Sequence, residues 1–299
     1  MCWIAYVLND IHHKAESPEI NPQPAEITWK NLGLYLAQKK SKQHFGGSLP
    51  SSIITTATAN VRGHYSIYLE DLQTGTWWGL GEKEAYNAWS LLKVSTLVAL
   101  LKKAEREQIS LDEGVVLTPE ELRHESPYIS NKDGLFKSLY IKKLAERMIE
   151  TSDDAAAIAL CKKLTFDEFQ ETFRVMAMPP ATPPNILPCV SPEQYARLLK
   201  SLYHANYLDK TSCDVALSLL SHTVFTNQIR AGIPNKIQLA HKVGFNADTG
   251  DYHDCGIVFL PDRPYVLCVM STGTTKEDAD RVISSLSRQV YEFMDGRNH

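Results

Sequence analysis

Three strand-like segments near the C-terminus, Ile237–Val243, Cys255–Leu260 and Tyr265–Ser271, constrain the fold more than any other feature of this sequence. The last two are separated only by the turn residues Pro261-Asp-Arg-Pro264, so they must pair antiparallel, and the three together read as a meander. Such a sheet has faces and edges that need cover. One face is met by the segment that follows. Val282, Ile283, Leu286, Val290, Phe293 and Met294 form one apolar stripe of a long final helix, and Thr274 with Glu277 reads as the capping box that opens it.

More strand character lies far upstream. Tyr65-Ser-Ile-Tyr-Leu-Glu-Asp-Leu72, the turn Gln73-Thr-Gly75 and Thr76-Trp-Trp-Gly-Leu80 read as a hairpin. Between the two strand regions, from Ser90 to about Ala231, apolar residues recur at helical spacing, as in Leu97, Leu100, Leu101 and Ala104, or Ile141, Leu144, Ala145 and Met148. The simplest closure joins early and late strands in one sheet. The expected fold is α+β: a five-stranded antiparallel sheet flanked by terminal helices, with a large all-helical insertion. Residues 1–60 read as an N-terminal extension with one helix near Ile27–Lys40. Residues 61–296 form the domain, its α/β part being 61–89 and 235–296 and its helical part 90–234.

Composition excludes some classes. Lys plus Arg number 31 and Asp plus Glu 35, a net charge of 31 − 35 = −4 over 299 residues, which is wrong for a nucleic-acid binder driven by bulk charge. A chain of this length buries about three quarters of its unfolded surface and needs neither metal nor disulfide to hold its core. The six cysteines show no C-x-x-C and no paired Cys/His spacing, so no metal site is expected. Cys255 and Cys268 sit in apolar stretches and are expected to be free, buried thiols. His12, His13 and His124 have no partner at metal-ligand spacing. Met1–Leu8 lacks the basic region and apolar length of a signal peptide. The longest apolar run, Ala88–Leu101, is too short to span a bilayer and carries Lys93.

That lysine introduces the chemistry. Ser90-Leu-Leu-Lys93 puts a hydroxyl and an amine on one helical face, the geometry of a nucleophile and its base. An apolar setting disfavours the ammonium form and makes a neutral amine more accessible. The alternative is that Ser90 caps a helix and Lys93 snorkels to solvent. Thr151-Ser152-Asp153-Asp154 is either a helix cap or a further set of polar groups for the same site. Lys242-Val-Gly244 ends a strand, either as a surface lysine beside a glycine bulge or as a cation aimed at a substrate.

In combination and in this order, Ser90-x-x-Lys93, Ser152-Asp-Asp154 and Lys242-Val-Gly244 resemble the S-x-x-K, S-D-N and K-T-G set of class A β-lactamases and penicillin-binding proteins. The likeness runs from about His64 to Met294. It includes Asp71-Leu-Gln-Thr-Gly75, Ile141-Lys-Lys-Leu144, Ser191-Pro192 and Gln228-Ile-Arg-Ala-Gly-Ile-Pro234. The resemblance implies a serine hydrolase in which Ser90 attacks a carbonyl and Lys93 is base or proton relay. Ser152 would pass a proton toward the leaving nitrogen, and Lys242 would hold a substrate carboxylate, with Arg230 as a further carboxylate-binding cation. The backbone N–H groups of Ser90 and Phe245 would form the oxyanion hole, next to Gly244. Tyr128, in His124-Glu-Ser-Pro-Tyr128, falls where relatives place an aromatic gate beside the site.

The chain departs from the family pattern in three places. Asp154 stands where an Asn normally donates to the substrate, and a carboxylate can only accept. Its charge, if close, would also favour protonated Lys93. Val243 removes a hydroxyl from the third motif. The stretch from Met178 to Val190, where class A enzymes carry the glutamate that activates the deacylating water, has five prolines and no Asp or Glu. Glu193 is the nearest acid, at the first turn of a helix where the dipole alone explains it. The expected function is therefore acylation of Ser90 by a small-molecule β-lactam or a peptidoglycan stem peptide, with slow deacylation. The alternative is a non-hydrolytic penicillin-binding or cell-wall-sensing module. Another Ser-x-x-Lys hydrolase, an esterase or glutaminase, fits the second and third motifs poorly. No cofactor, metal or nucleic acid is expected. The form expected is a monomer, extracytoplasmic by resemblance.

Overall fold

A five-stranded antiparallel sheet separates two layers of helix. Its strands are β1 (His64–Asp71), β2 (Trp77–Leu80), β7 (Leu239–Asn246), β8 (Asp251–Val258) and β9 (Tyr265–Thr272), in the order β2-β1-β9-β8-β7. The computed structural model describes residues 61–129, 138–177 and 189–296. The 1–60 extension and its expected helix lie outside the described residues.

Alternation along the strands divides the core in two. Tyr65, Ile67 and Leu69 of β1, with Leu267 and Val269 of β9, face the final helix, α8 (Lys276–Met294), whose Val282, Ile283, Leu286, Val290 and Met294 are buried against them. Tyr68, Val266, Cys268 and Met270 face the other way, into the larger core of the helical part. Both faces being covered, the central strands are buried along almost their whole length, whatever their side-chain polarity.

The helical part contains α1 (Leu92–Glu105), the single-turn α2 (Pro119–Leu122), α3 (Ile141–Glu150), α4 (Asp154–Cys161), α5 (Phe166–Val175), α6 (Pro192–Tyr203) and α7 (Lys210–Ser221). Capping boxes start three of them: Thr118 with Glu121, Thr165 with Glu168 and Ser191 with Gln194. The expectation of an all-helical block is corrected by two small two-stranded ladders. β4 (Gly114–Val116) pairs with β5 (Ser138–Tyr140), and β3 (Tyr86–Asn87) pairs with β6 (Cys189–Val190). These segments are too short for any period to show.

The cap of α8 lies one residue later than expected: Thr275 accepts from the Asp278 N–H. The Thr274 hydroxyl is engaged instead with the Tyr65 hydroxyl at 2.8 Å. The expectation of free thiols at Cys255 and Cys268 is overturned as well. Register places them directly opposite each other on β8 and β9, and they form a disulfide in the fully buried core. The apolar setting was read correctly, but pairing is a property of register, which neither segment carries alone.

Candidate active site

The site forms where the helical part meets β7, the edge strand of the sheet. Ser90 lies half-buried in a 3-10 turn, Trp89–Leu91, that runs directly into α1. Trp89 holds a left-handed conformation, φ +46°, a strained state for a non-glycine residue that has to be held by its surroundings. Several bonds hold it. The Trp89 indole N–H donates to Asp251 Oδ2 at 2.8 Å, and the Thr249 hydroxyl donates to the same oxygen at 2.7 Å. The Tyr195 hydroxyl, deep in the core, donates to the Leu91 carbonyl at 3.2 Å. His253 Nδ1 accepts from the Ser271 N–H, so its proton sits on Nε2 and is donated to the Asn87 carbonyl at 3.0 Å. Burial pushes the His253 pKa down to about 4.

Gly244 explains why β7 lies so close to this turn. A Cβ there would sit 2.8 Å from the Ala88 carbonyl oxygen and 3.0 Å from Leu91 Cγ. The register of β7 with β8 is unbroken from Leu239 to Asn246, so this glycine marks a close approach and not a bulge.

Lys93 does not snorkel. Its side chain is fully buried, and Nζ donates to the Ser152 carbonyl at 2.7 Å, to Ser152 Oγ at 3.1 Å and to Asp154 Oδ1 at 2.5 Å. These acceptors match the three protons of an ammonium. Neither the 3-10 turn nor α1 has a side-chain cap bond, so Ser90 is not engaged as a cap.

Ser152-Asp-Asp154 divides between two tasks: Ser152 and Asp154 bond to Lys93, and Asp153 caps a helix. Asp153 is the cap of α4, accepting from the Ala155 N–H, and it also accepts from the Ser126 N–H and from Arg147 Nε. Arg147 in turn pairs with Glu125 at 2.6 Å. This buried network fixes Ser152 in a second left-handed conformation, φ +55°, which directs its hydroxyl and carbonyl to Lys93.

Lys242 is fully buried, with Nζ 5.3 Å from the Phe225 ring centre. Burial, and after it the charge of Lys93, push its pKa well below the usual lysine value, while Asp154 and Asp254 pull it back up. Val243 offers no hydroxyl and is itself buried. Phe245 is half exposed beside Tyr252, with ring centres 6.4 Å apart. Tyr128 is exposed and meets Phe225 edge-on at 5.3 Å, and Phe225 in turn lies 5.3 Å from Lys242 Nζ.

Arg230 is directed elsewhere, against expectation. Its guanidinium donates to the carbonyls of Ile237 at 2.8 Å, Ile233 at 3.1 Å and Pro234 at 2.6 Å, closing the loop that leads into β7. No regular element claims those carbonyls, and the Pro234 oxygen also accepts from the Ile237 N–H at 3.0 Å. Glu193 is likewise engaged, with Arg197 at 2.8 Å. Trp77 stacks on Tyr68 as sheet packing.

Sequence reasoning missed the supports: Asp251, His253, Tyr195, Arg147 and Phe225. Phe225 alone had a local signal, as a large aromatic in the polar run Thr223-Val-Phe-Thr-Asn227.

Comparison with known proteins gives a consistent result. A β-lactamase of Bacteroides uniformis is 24% identical, over 69% of this chain and 78% of that protein. Among solved structures, PBP-A superposes with a TM-score of 0.73 at 22% identity, covering 83% of this chain and 96% of PBP-A. A β-lactamase from Chitinophaga pinensis does so with a TM-score of 0.73 at 22% identity, covering 84% and 100% of the two chains. These likenesses show the fold. The model of the β-lactamase enzyme family matches residues 50–294, and with that span the chain belongs to this family.

Proposed function

We propose that this protein is an acyl-transferring serine hydrolase that acts on β-lactams or D-Ala-D-Ala-type peptides through an acyl-enzyme on Ser90. The observation that carries this reading is the buried Lys93 amine, bonded to Ser152 Oγ one turn from Ser90 and facing the strand that holds Lys242. In acylation, Ser90 Oγ bonds to the carbonyl carbon as its proton passes to Lys93, which has first released one of its own protons to solvent. The oxyanion is held by the N–H groups of Ser90 and Phe245. When the C–N bond breaks, Ser152 passes a proton from Lys93 to the leaving nitrogen. Lys242 attracts the substrate carboxylate from the leaving-group side.

Deacylation is slow in this reading. Residues 178–190 contain no carboxylate to activate water, and Glu193 is held by Arg197. Residues 178–188 lie outside the described residues. Family membership favours an extracytoplasmic location, where such substrates occur.

Time-resolved intact-protein mass spectrometry after exposure to penicillin tests the proposal. The expected result is a persistent adduct in the wild type and none in Ser90→Ala. A wild type that never gains an adduct would sink it. That outcome is the one expected of the second reading, a non-hydrolytic binding module, which the Lys93–Asp154 ion pair favours because it ties the base to a carboxylate.

A further inference from the structure

Asp154 is the first residue of α4, and its carboxylate meets Lys93 at 2.5 Å. The two partners differ in environment: the Lys93 side chain is 0% exposed, whereas that of Asp154 is 39% exposed. A carboxylate offers about four acceptor positions, and Lys93 uses one. The remainder belongs to a partly exposed side chain at a helix N-terminus, which supports negative charge. An amide at this position would present a donor to a substrate carbonyl. The carboxylate presents only acceptors.

Other groups define where a matching ligand group would lie. Lys242 occupies the strand side of the site, so a cation on the substrate is repelled from that side and drawn to the Asp154 side. The loop bearing Tyr128 is tied to the start of α4, because the Ser126 N–H donates to Asp153 Oδ1 at 2.9 Å and the Tyr128 N–H to Ser126 Oγ at 3.3 Å. Tyr128 is 56% exposed and offers an aromatic face, a second favourable surface for an organic cation. The carbonyl-holding and carboxylate-holding groups are correspondingly thin: Val243 has no hydroxyl, and Arg230 is bound to backbone carbonyls.

We infer that Asp154 is a specificity-determining residue that binds a positively charged amine on the acyl side of the substrate. The preferred acyl donor thus has an ammonium group near the carbonyl that Ser90 attacks. The inference rests on the acyl-enzyme reading above and narrows it to one substrate class.

The test compares adduct formation by ampicillin, benzylpenicillin and N-acetylampicillin in wild type and Asp154→Asn. The first two differ by one α-ammonium group, and acetylation removes its charge while keeping bulk. Any general effect of the substitution on Lys93 is common to all three compounds and cancels in their ratios. The expected result is a wild-type rate about twofold to fivefold higher for ampicillin than for the other two, the range of a partly exposed ion pair. In Asp154→Asn the ratio falls to near one. Equal wild-type rates for the three compounds overturn the inference and leave the acyl-enzyme reading standing. An ampicillin preference that survives Asp154→Asn overturns it too, since the amine is then read elsewhere. Failure of all three compounds to label Ser90 removes the acyl-enzyme reading and this inference with it.

Discussion

The imidazole of His253 on β8 donates its Nε2 proton to the backbone carbonyl of Asn87, three residues before Ser90. One histidine within the sheet thereby positions the chain that leads to Ser90. On its other side Nδ1 accepts from the Ser271 N–H, so both nitrogens are committed in the neutral form.

A pH dependence of stability follows from this arrangement. His253 has a folded pKa of about 4 against 6.5 when unfolded, because burial penalises the imidazolium. Below 6.5 the unfolded chain binds a proton that the folded chain refuses, so stability is full above that value and falls as pH drops toward 4. A shift of this size corresponds to on the order of 3 kcal/mol at full protonation. Urea unfolding between pH 7 and pH 4 should show the decline, and His253→Asn should flatten it. An unchanged slope in the variant would remove His253 as its cause.

Gly244→Ala should damage activity more than stability. Its Cβ would meet the Ala88 carbonyl oxygen at 2.8 Å, which pushes β7 away from the nucleophile turn. Overpacking of this kind costs about 1–3 kcal/mol, and a displacement approaching 1 Å in a catalytic constellation lowers rates by about 10²-fold. The penicillin adduct rate and the urea midpoint, measured together, separate the two effects.

Lys93→Met should separate chemistry from folding. Methionine fills most of the same volume and removes a buried ammonium, and the remaining Asp154 carboxylate is partly hydrated. Stability should stay within about 1 kcal/mol or rise. Adduct formation should fall on the order of 10²- to 10⁴-fold, the contribution of a positioned proton-transfer group. Thermal unfolding alongside mass spectrometry reads both.

Arg147→Met should do the reverse and unfold the site. Arg147 is buried and bridges Glu125 and Asp153, so its loss leaves buried carboxylate charge unpaired, at a cost of about 3–5 kcal/mol. Ser152 then loses the support for its left-handed backbone. Denaturant unfolding should show the loss, and the double variant Arg147→Met, Asp153→Asn should recover part of it by neutralising the stranded charge.

Pattern along the chain was enough for the architecture and for a set of candidate site residues. The meander, the upstream hairpin and the striped final helix admit few arrangements other than one antiparallel sheet with helical layers, because period-2 and period-3.6 patterns each bury only one kind of face. Ser90, Lys93, Ser152, Asp154, Lys242 and Gly244 were legible because their chemistry is carried by residue type and short spacing. What each cation meets depended on the folded chain. Arg230 closes its own loop, Lys242 is buried under Phe225, and Lys93 is tied to Asp154, all through contacts between residues distant in the chain. The same holds for the Cys255–Cys268 bridge, set by register, and for His253, set by which carbonyl packs against it. Pattern along a chain fixes which face is buried. Which polar group meets which is settled only when the faces close, since an unmet buried group is too costly to keep and each finds the partner that packing brings within reach.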